Sequence, residues 1–255
     1  MKVRSPLKIL RSISFQLFLF TILIMMSVQD ISAQTGEDAV LKIKKSTDFS
    51  ITGNGSAENW SKTEWVELTQ RSNHDNTDGL QTKVKILYSD TGLYFLFHCE
   101  DEILSATIDS HFKELWREDV VEVFLWPDQS EPVYFEYELS PLNYELPILV
   151  SNNDGVQSHW IPFDYSYKED RKTRHKTSVE GGEKKSGSAI TKWMGEIFIP
   201  FELLRPLKNI FPEPGTKWRA NMYRIDYDHG PTHWSWQPYE RNFHDFKNFG
   251  TFLFE

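Results

Sequence analysis

The chain has 255 residues, with 28 Lys and Arg against 37 Asp and Glu, a net charge of -9 and one cysteine. One cysteine excludes a disulfide framework within the chain, and 39% hydrophobic with 25% charged residues at a mean hydropathy of -0.50 excludes a disordered or membrane-spanning class. Aromatic residues make up 15% of the chain, as 9 Trp, 10 Tyr and 18 Phe; flat rings suit pleated sheets and flat ligands, so all-β structure with a stacking surface is expected.

Residues 1–33 read as a cleaved secretory signal peptide: Lys2, Arg4, Lys8 and Arg11 form a basic start, Leu17 to Met26 an apolar stretch, and Ile31-Ser32-Ala33 before Gln34 a small-residue exit. The apolar run is shorter than the ~20 residues a bilayer span needs, which sets an uncleaved anchor helix second. No cysteine follows to carry a lipid. The expected product is exported to the periplasm, cell surface or medium as one domain, residues 34–255, with 24 basic against 36 acidic residues. That surplus argues against nucleic acid or membrane insertion, because polyanions and anionic lipids need a basic surface.

Period-two patterning then predicts strands. Thr82 to Tyr88 alternates, Ser89-Asp90-Thr91-Gly92 turns the chain, and Leu93 to Cys99 returns as a buried strand, with Cys99 as a small buried hydrophobe. Further strands are expected at Asp119 to Trp126, Val133 to Leu139, Trp193 to Ile199, Lys217 to Tyr227 and Gly250 to Phe254. Broken alternation in Trp193 to Pro200 predicts a bulge near Gly195. Short helical turns are expected at Phe112 to Trp116 and, after Pro200, at Phe201 to Leu204. The charged stretch from Tyr167 to Ser188 reads as a solvated hairpin rather than a basic docking patch, because apolar anchors are almost absent. Together these predict a single antiparallel β-sandwich, immunoglobulin- or jelly-roll-like.

Motifs for hydrolytic or zinc chemistry are poor. His229 and His233 are four apart, but Gly230 and Pro231 forbid the helix that would align them. Acids cluster at Glu100-Asp101, Glu118-Asp119-Glu122 and Glu136-Glu138, a pattern open to exposed strand faces, calcium ligands or the paired carboxyls of a glycoside hydrolase. Asp119 and Glu122 are three apart on one strand and so face opposite sides. Tryptophan placement says more. Trp60, Trp65, Trp193 and Trp218 belong to strand patterns and are expected in the core, whereas Trp116 and Trp236 lie in polar stretches beside strands. An exposed indole matches the C–H face of a sugar ring, at ~1 kcal/mol per contact beyond burial; two such contacts with hydrogen bonds correspond to about 1 mM to 1 μM.

Several blocks resemble carbohydrate-binding module family nine: Ile51-Thr52-Gly53 through Trp60, Trp116-Arg117-Glu118-Asp119 through Leu125, Trp193 through Pro200, Trp218-Arg219-Ala220-Asn221 through Asp226, and Phe246-Lys247-Asn248-Phe249-Gly250. They occur in the family's order and cover nearly the whole chain after the leader. The resemblance implies a β-sandwich, structural calcium, and two tryptophans that sandwich a terminal sugar, falling here on Trp116 and Trp236. It implies a hydrogen-bonding acid at Glu122, with Asn221 and Arg224 as further contacts on a matching strand. Where such members carry a sugar-contacting arginine, this chain has Glu136. The expected partner is a poly- or oligosaccharide, in the setting of other polysaccharide-degrading proteins. Two readings stand beside it: a glycoside-processing enzyme using the acid clusters, and a haem-binding sandwich drawing on His98, Met194 or Met222.

Overall fold

The computed structural model describes residues 39–71, 80–153, 156–163 and 167–255; the expected signal peptide, residues 1–33, lies outside them. Thirteen strands run in chain order: β1 (Val40–Lys45), β2 (Val66–Gln70), β3 (Thr82–Tyr88), β4 (Gly92–Glu100), β5 (Val120–Trp126), β6 (Val133–Leu139), β7 (Glu145–Asn153), β8 (Val156–Pro162), β9 (Arg174–Glu180), β10 (Lys192–Pro200), β11 (Lys217–Asp226), β12 (Thr232–Ser235) and β13 (Gly250–Phe254). Helix occurs among the described residues only as short 3-10 turns, including Leu115–Arg117 and Phe201–Leu204. No described helix is long and apolar enough to cross a membrane.

The strands form a two-layer sandwich. One sheet runs β8-β7-β6-β5-β11, with β12 and β13 sharing the far edge of β11; the other runs β2-β3-β4-β10-β9. Two junctions join the layers: β12 pairs with β2, and β1 pairs in parallel first with β13 and then with β3. These β1 ladders depart from a purely antiparallel sandwich. The stretch expected as a hairpin at 167–188 supplies one edge strand, β9, which pairs with β10 and keeps its polar residues half-exposed or exposed.

Val121, Val123, Phe135 and Tyr137 of the first sheet pack between the layers against Val84, Phe95, Phe97 and Ile197 of the second. Burial does not stop there. On the outer face of the first sheet, Val120, Phe124, Tyr134, Ile148 and Ile225 lie beneath Leu115, Phe243 and Phe249 from the loops. On the outer face of the second, Leu87, Tyr94, Leu96 and Phe198 lie beneath Ile51 and Trp60. Each layer is therefore covered on both sides, and β5 is buried at every position. Cys99 is among these interior groups, its thiol pushed up to about 12 by burial.

No bulge interrupts β10, whose register with β4 is continuous from Lys192 to Pro200. Trp193, Ile197 and Ile199 point between the layers while Met194 and Phe198 point outward, so alternation is strict. Gly195 is the inward member that hides the pattern. A Cβ there would approach Leu139 to 3.2 Å, so even a methyl group would crowd its neighbours.

Candidate functional site

The outer face of the first sheet carries a cleft of about 380 Å³. Ile148 of β7 and Ile225 of β11 form apolar floor, with Glu122 of β5 and Glu136 of β6 between them. Trp116 and Trp160 supply aromatic wall, and Tyr239, Arg241, Asn242 and Phe243 enter from the loop after β12. The sheet's alternation explains the floor: even-numbered residues of β5 and β6 face outward, opposite the odd-numbered residues sent to the interior.

Trp116 owes its position to a single 3-10 turn. Leu115 is fully buried and anchors the turn, while the Tyr227 hydroxyl donates to the Trp116 carbonyl at 2.8 Å. The indole is half-buried and meets Trp160, 38% exposed, edge to face at 5.7 Å and 83°. Phe243 is held from behind, stacked on Tyr223 at 4.1 Å and 11°. Sequence reading missed Trp160, Tyr239 and Phe243. A loop tryptophan such as Trp116 stands out by its polar neighbours, but β8 patterning is too weak to assign a face to Trp160.

The carboxyls are unusual. Glu122 and Glu138 oppose each other across β5 and β6, with Glu136 diagonal to Glu122 on the same face. All three are buried. Burial, and then repulsion from Glu136, pushes the Glu122 carboxyl well above the ordinary range, and burial raises Glu136 to about 8. Glu138 is raised by burial and by both neighbours. Oε2 of Glu136 has no hydrogen-bond partner among the described residues. His244 Nδ1 lies 3.8 Å from that oxygen, but burial pushes the imidazole down to about 4, so it supplies no positive charge at neutral pH. Its Nδ1 is instead 2.6 Å from the Tyr134 hydroxyl.

Of the residues expected to contact a sugar, Trp116 and Glu122 meet in this cleft. The other three do not line it. Trp236 follows Trp234 by two on the same side of the chain, and its amide bonds to the Met222 carbonyl, so its ring turns toward the layer interface. It lies over Phe252 at 5.6 Å and rests on Gly250, where a Cβ would come within 2.4 Å of the indole. The expected pairing of Trp116 with Trp236 is therefore corrected: the two rings belong to opposite faces of the sheet. Asn221 is buried, donating to the Tyr223 hydroxyl at 2.8 Å and the Gln237 carbonyl at 3.1 Å. Its Oδ1 accepts the Met222 and Gln237 amides, which makes it a brace for the loop after β12.

Arg224 is also corrected, from sugar contact to buried structural cation. Its guanidinium is 0% exposed, donates to Asp101 at 3.0 Å and Asp226 at 2.5 Å, and lies 4.7 Å from the centre of the Trp234 ring. Asp101, Asp119 and Asp228 bring carboxylate oxygens within 4.8 Å of one another beside it. Asp119 accepts the Ser105 and Tyr227 amides, so it faces away from Glu122 as their spacing requires. Burial and Asp226 outweigh Arg224 to raise Asp101 to about 8, and burial with the neighbouring acids raises Asp119. Asp101, Asp119, Asp226 and Asp228 crowd one guanidinium, and oxygen donors of this kind fit a hard divalent cation such as calcium. For haem the residues do not converge: Met222 is fully buried between the layers, whereas His98 and Met194 pair across the outer face of the second sheet.

Three comparisons place the chain among known proteins. The family model described as "Carbohydrate family 9 binding domain-like" matches residues 51–253. An Arthroderma benhamiae relative named "Extracellular protein" is 27% identical over 152 residues, 56% of this chain and 63% of the relative, so the match spans less than two thirds of that relative's length. A candidate carbohydrate-binding protein of Bacteroides uniformis shares the fold at a TM-score of 0.66 and 16% identity, covering 86% of this chain and 100% of that one. A family 9 carbohydrate-binding module of Caldicellulosiruptor kristjanssonii, solved with cellotriose, aligns at a TM-score of 0.57 and 14% identity over 84% of this chain and 94% of the module. A second structure from that organism, with glucose, aligns at 0.54 and 14%, over 84% and 96%.

Proposed function

Because the chain belongs to the carbohydrate family 9 binding domain-like family, we propose that it is an exported, non-catalytic protein that holds the end of a saccharide in the cleft above Glu122 and Glu136. The observation that carries this reading is the cleft's make-up: indole and phenol rings at the wall over a carboxyl-bearing floor. Rings offer the C–H face of a pyranose a flat apolar surface, and the carboxyls, Gln157 and Asn242 supply hydrogen-bonding groups for hydroxyls. Trp116 and Trp160 form the corner against which the sugar lies, in place of a two-tryptophan sandwich. The solved modules with cellotriose and glucose support a glucose-like ligand as the first class to test. The leader and the relative named as extracellular support export.

The carboxyls favour binding over hydrolysis. Glycosidases need one carboxyl protonated and a second ionised, which requires environments that push the two pKa values apart. Here burial raises Glu122, Glu136 and Glu138 alike. Calcium, as a structural ion, would be held by Asp101, Asp119 and Asp228, relieving the repulsion among these crowded carboxyls. A glycan array on the protein, with and without calcium, tests ligand class and metal dependence together. Saturable binding of glucan ends that Trp116→Ala weakens is expected; product release from any bound glycan, lost in Glu122→Gln, would overturn the non-catalytic reading.

A further inference from the structure

At the start of β7, Glu145 is 2% exposed and gathers an unusual set of partners. The Tyr137 hydroxyl donates to Oε2 at 2.6 Å, the Thr173 hydroxyl donates to the same oxygen, and the Tyr167 hydroxyl donates to Oε1 at 2.6 Å. His175 of β9 brings Nε2 to 3.2 Å from Oε1. Behind it, Nδ1 of His175 lies 3.0 Å from Oδ1 of Asn143, an oxygen that can only accept, so Nδ1 donates there and Nε2 is the nitrogen turned toward Glu145. His111, exposed on the loop that precedes Trp116, completes the group. Its ring centre is 5.6 Å from that of His175, and its Nδ1 accepts the Glu145 amide at 3.2 Å. One ligand atom from each of the three residues lies within 4.8 Å of the others.

We propose that His111, Glu145 and His175 form a site for a divalent transition metal, zinc first, separate from the cleft and from the aspartate cluster. Two imidazoles and one carboxylate are a donor set for zinc, cobalt or nickel rather than calcium, which takes oxygen ligands. Tetrahedral bonds near 2.05 Å place adjacent ligand atoms about 3.3 Å apart, which the His175–Glu145 separation of 3.2 Å already meets. The third ligand, His111, is the exposed one and already offers a ligand atom within 4.8 Å of the other two. Supporting bonds are in place as well: an amide oxygen orients His175, and three hydroxyls orient Glu145, the outer-shell pattern that fixes metal ligands. The backbone beside the site is strained to hold it, with Phe112 at φ 62 and Asn143 at φ 75. A bound ion would tie together the Trp116 loop, β7 and the edge strand β9.

The test is titration of chelator-treated, untagged protein with zinc chloride, read by calorimetry and thermal unfolding in excess calcium, with cobalt chloride as a spectroscopic probe. One zinc per chain at micromolar Kd or tighter, a raised Tm and visible cobalt bands are expected. His111→Ala, at an exposed position, should weaken zinc at least tenfold without loss of fold, and His175→Gln should abolish the cobalt bands. Absence of one-to-one binding, or an affinity unchanged in both variants, overturns the proposal; a zinc site elsewhere, at His229 or His159, would give that second result.

Discussion

Glu136 shows how one side chain can make the cleft sensitive to pH. Burial raises its carboxyl from 4.5 to about 8, with Glu122, Glu138 and neutral His244 as the titratable groups around it. Between those two values the folded chain holds a proton that the unfolded chain has released, so stability falls as pH rises through that window. Glu136→Gln cannot ionise. It should flatten the profile and raise stability above pH 8 by about 1–3 kcal/mol, the scale of one to two pKa units, as read from urea midpoints along a pH series. A variant curve parallel to the parent's would assign the proton elsewhere. The tryptophans give a second contrast. Trp116→Ala should weaken glycan binding at least tenfold, about 1.4 kcal/mol, with an unchanged Tm. Trp236→Ala empties a seat over Gly250 and Phe252, so it should lower stability by about 2–4 kcal/mol and leave glycan affinity intact, a pair of outcomes that calorimetry and thermal melts separate.

Strand β10 carries an interaction that fixes the segment laid across the second sheet. Glu196 faces outward yet is fully buried; its Oε2 accepts the Thr52 amide at 2.8 Å and the Gly53 amide at 2.6 Å, and its Oε1 accepts the Trp60 indole N–H at 2.9 Å. The covering segment has few regular backbone pairings, so this carboxylate takes up donors that a sheet partner would otherwise satisfy. Glu196→Ala leaves three donors unanswered, two of them buried, and should cost about 2–4 kcal/mol. Faster hydrogen exchange at Thr52 and Gly53 than across β4 would locate the damage, whereas uniform acceleration would mean the segment is not a separate unit. The same strand explains a failed expectation. Gly195 occupies an inward position without a side chain, which reads as broken alternation in the sequence, while Leu139 and Trp193 fill the space in the fold.

Taken whole, the molecule keeps two layers together through edge junctions and a buried ionic cluster around Arg224. If calcium sits at Asp101, Asp119 and Asp228, chelation with EGTA should lower Tm by roughly 5–10 °C, the effect of about 2.7 kcal/mol, and added calcium should restore it; a Tm indifferent to EGTA removes the ion from that cluster. Local signals in the chain were enough for the all-β class, for β3, β6 and β13 to the residue, for the Phe201–Leu204 turn, and for the separation of Asp119 from Glu122. Those features depend on neighbours within a few positions, where alternation and turn chemistry act. β7 and β8 escaped notice because a strand covered on both faces, or open on both, loses its alternating signature. Which rings share the cleft was decided only by packing: Trp116 and Trp160 are 44 positions apart yet touch, whereas the sheet's pleat turns Trp236 to the far side. His111, Glu145 and His175 are likewise gathered by three separate segments, and no spacing along a chain can encode a meeting that depends on how its layers fold over one another.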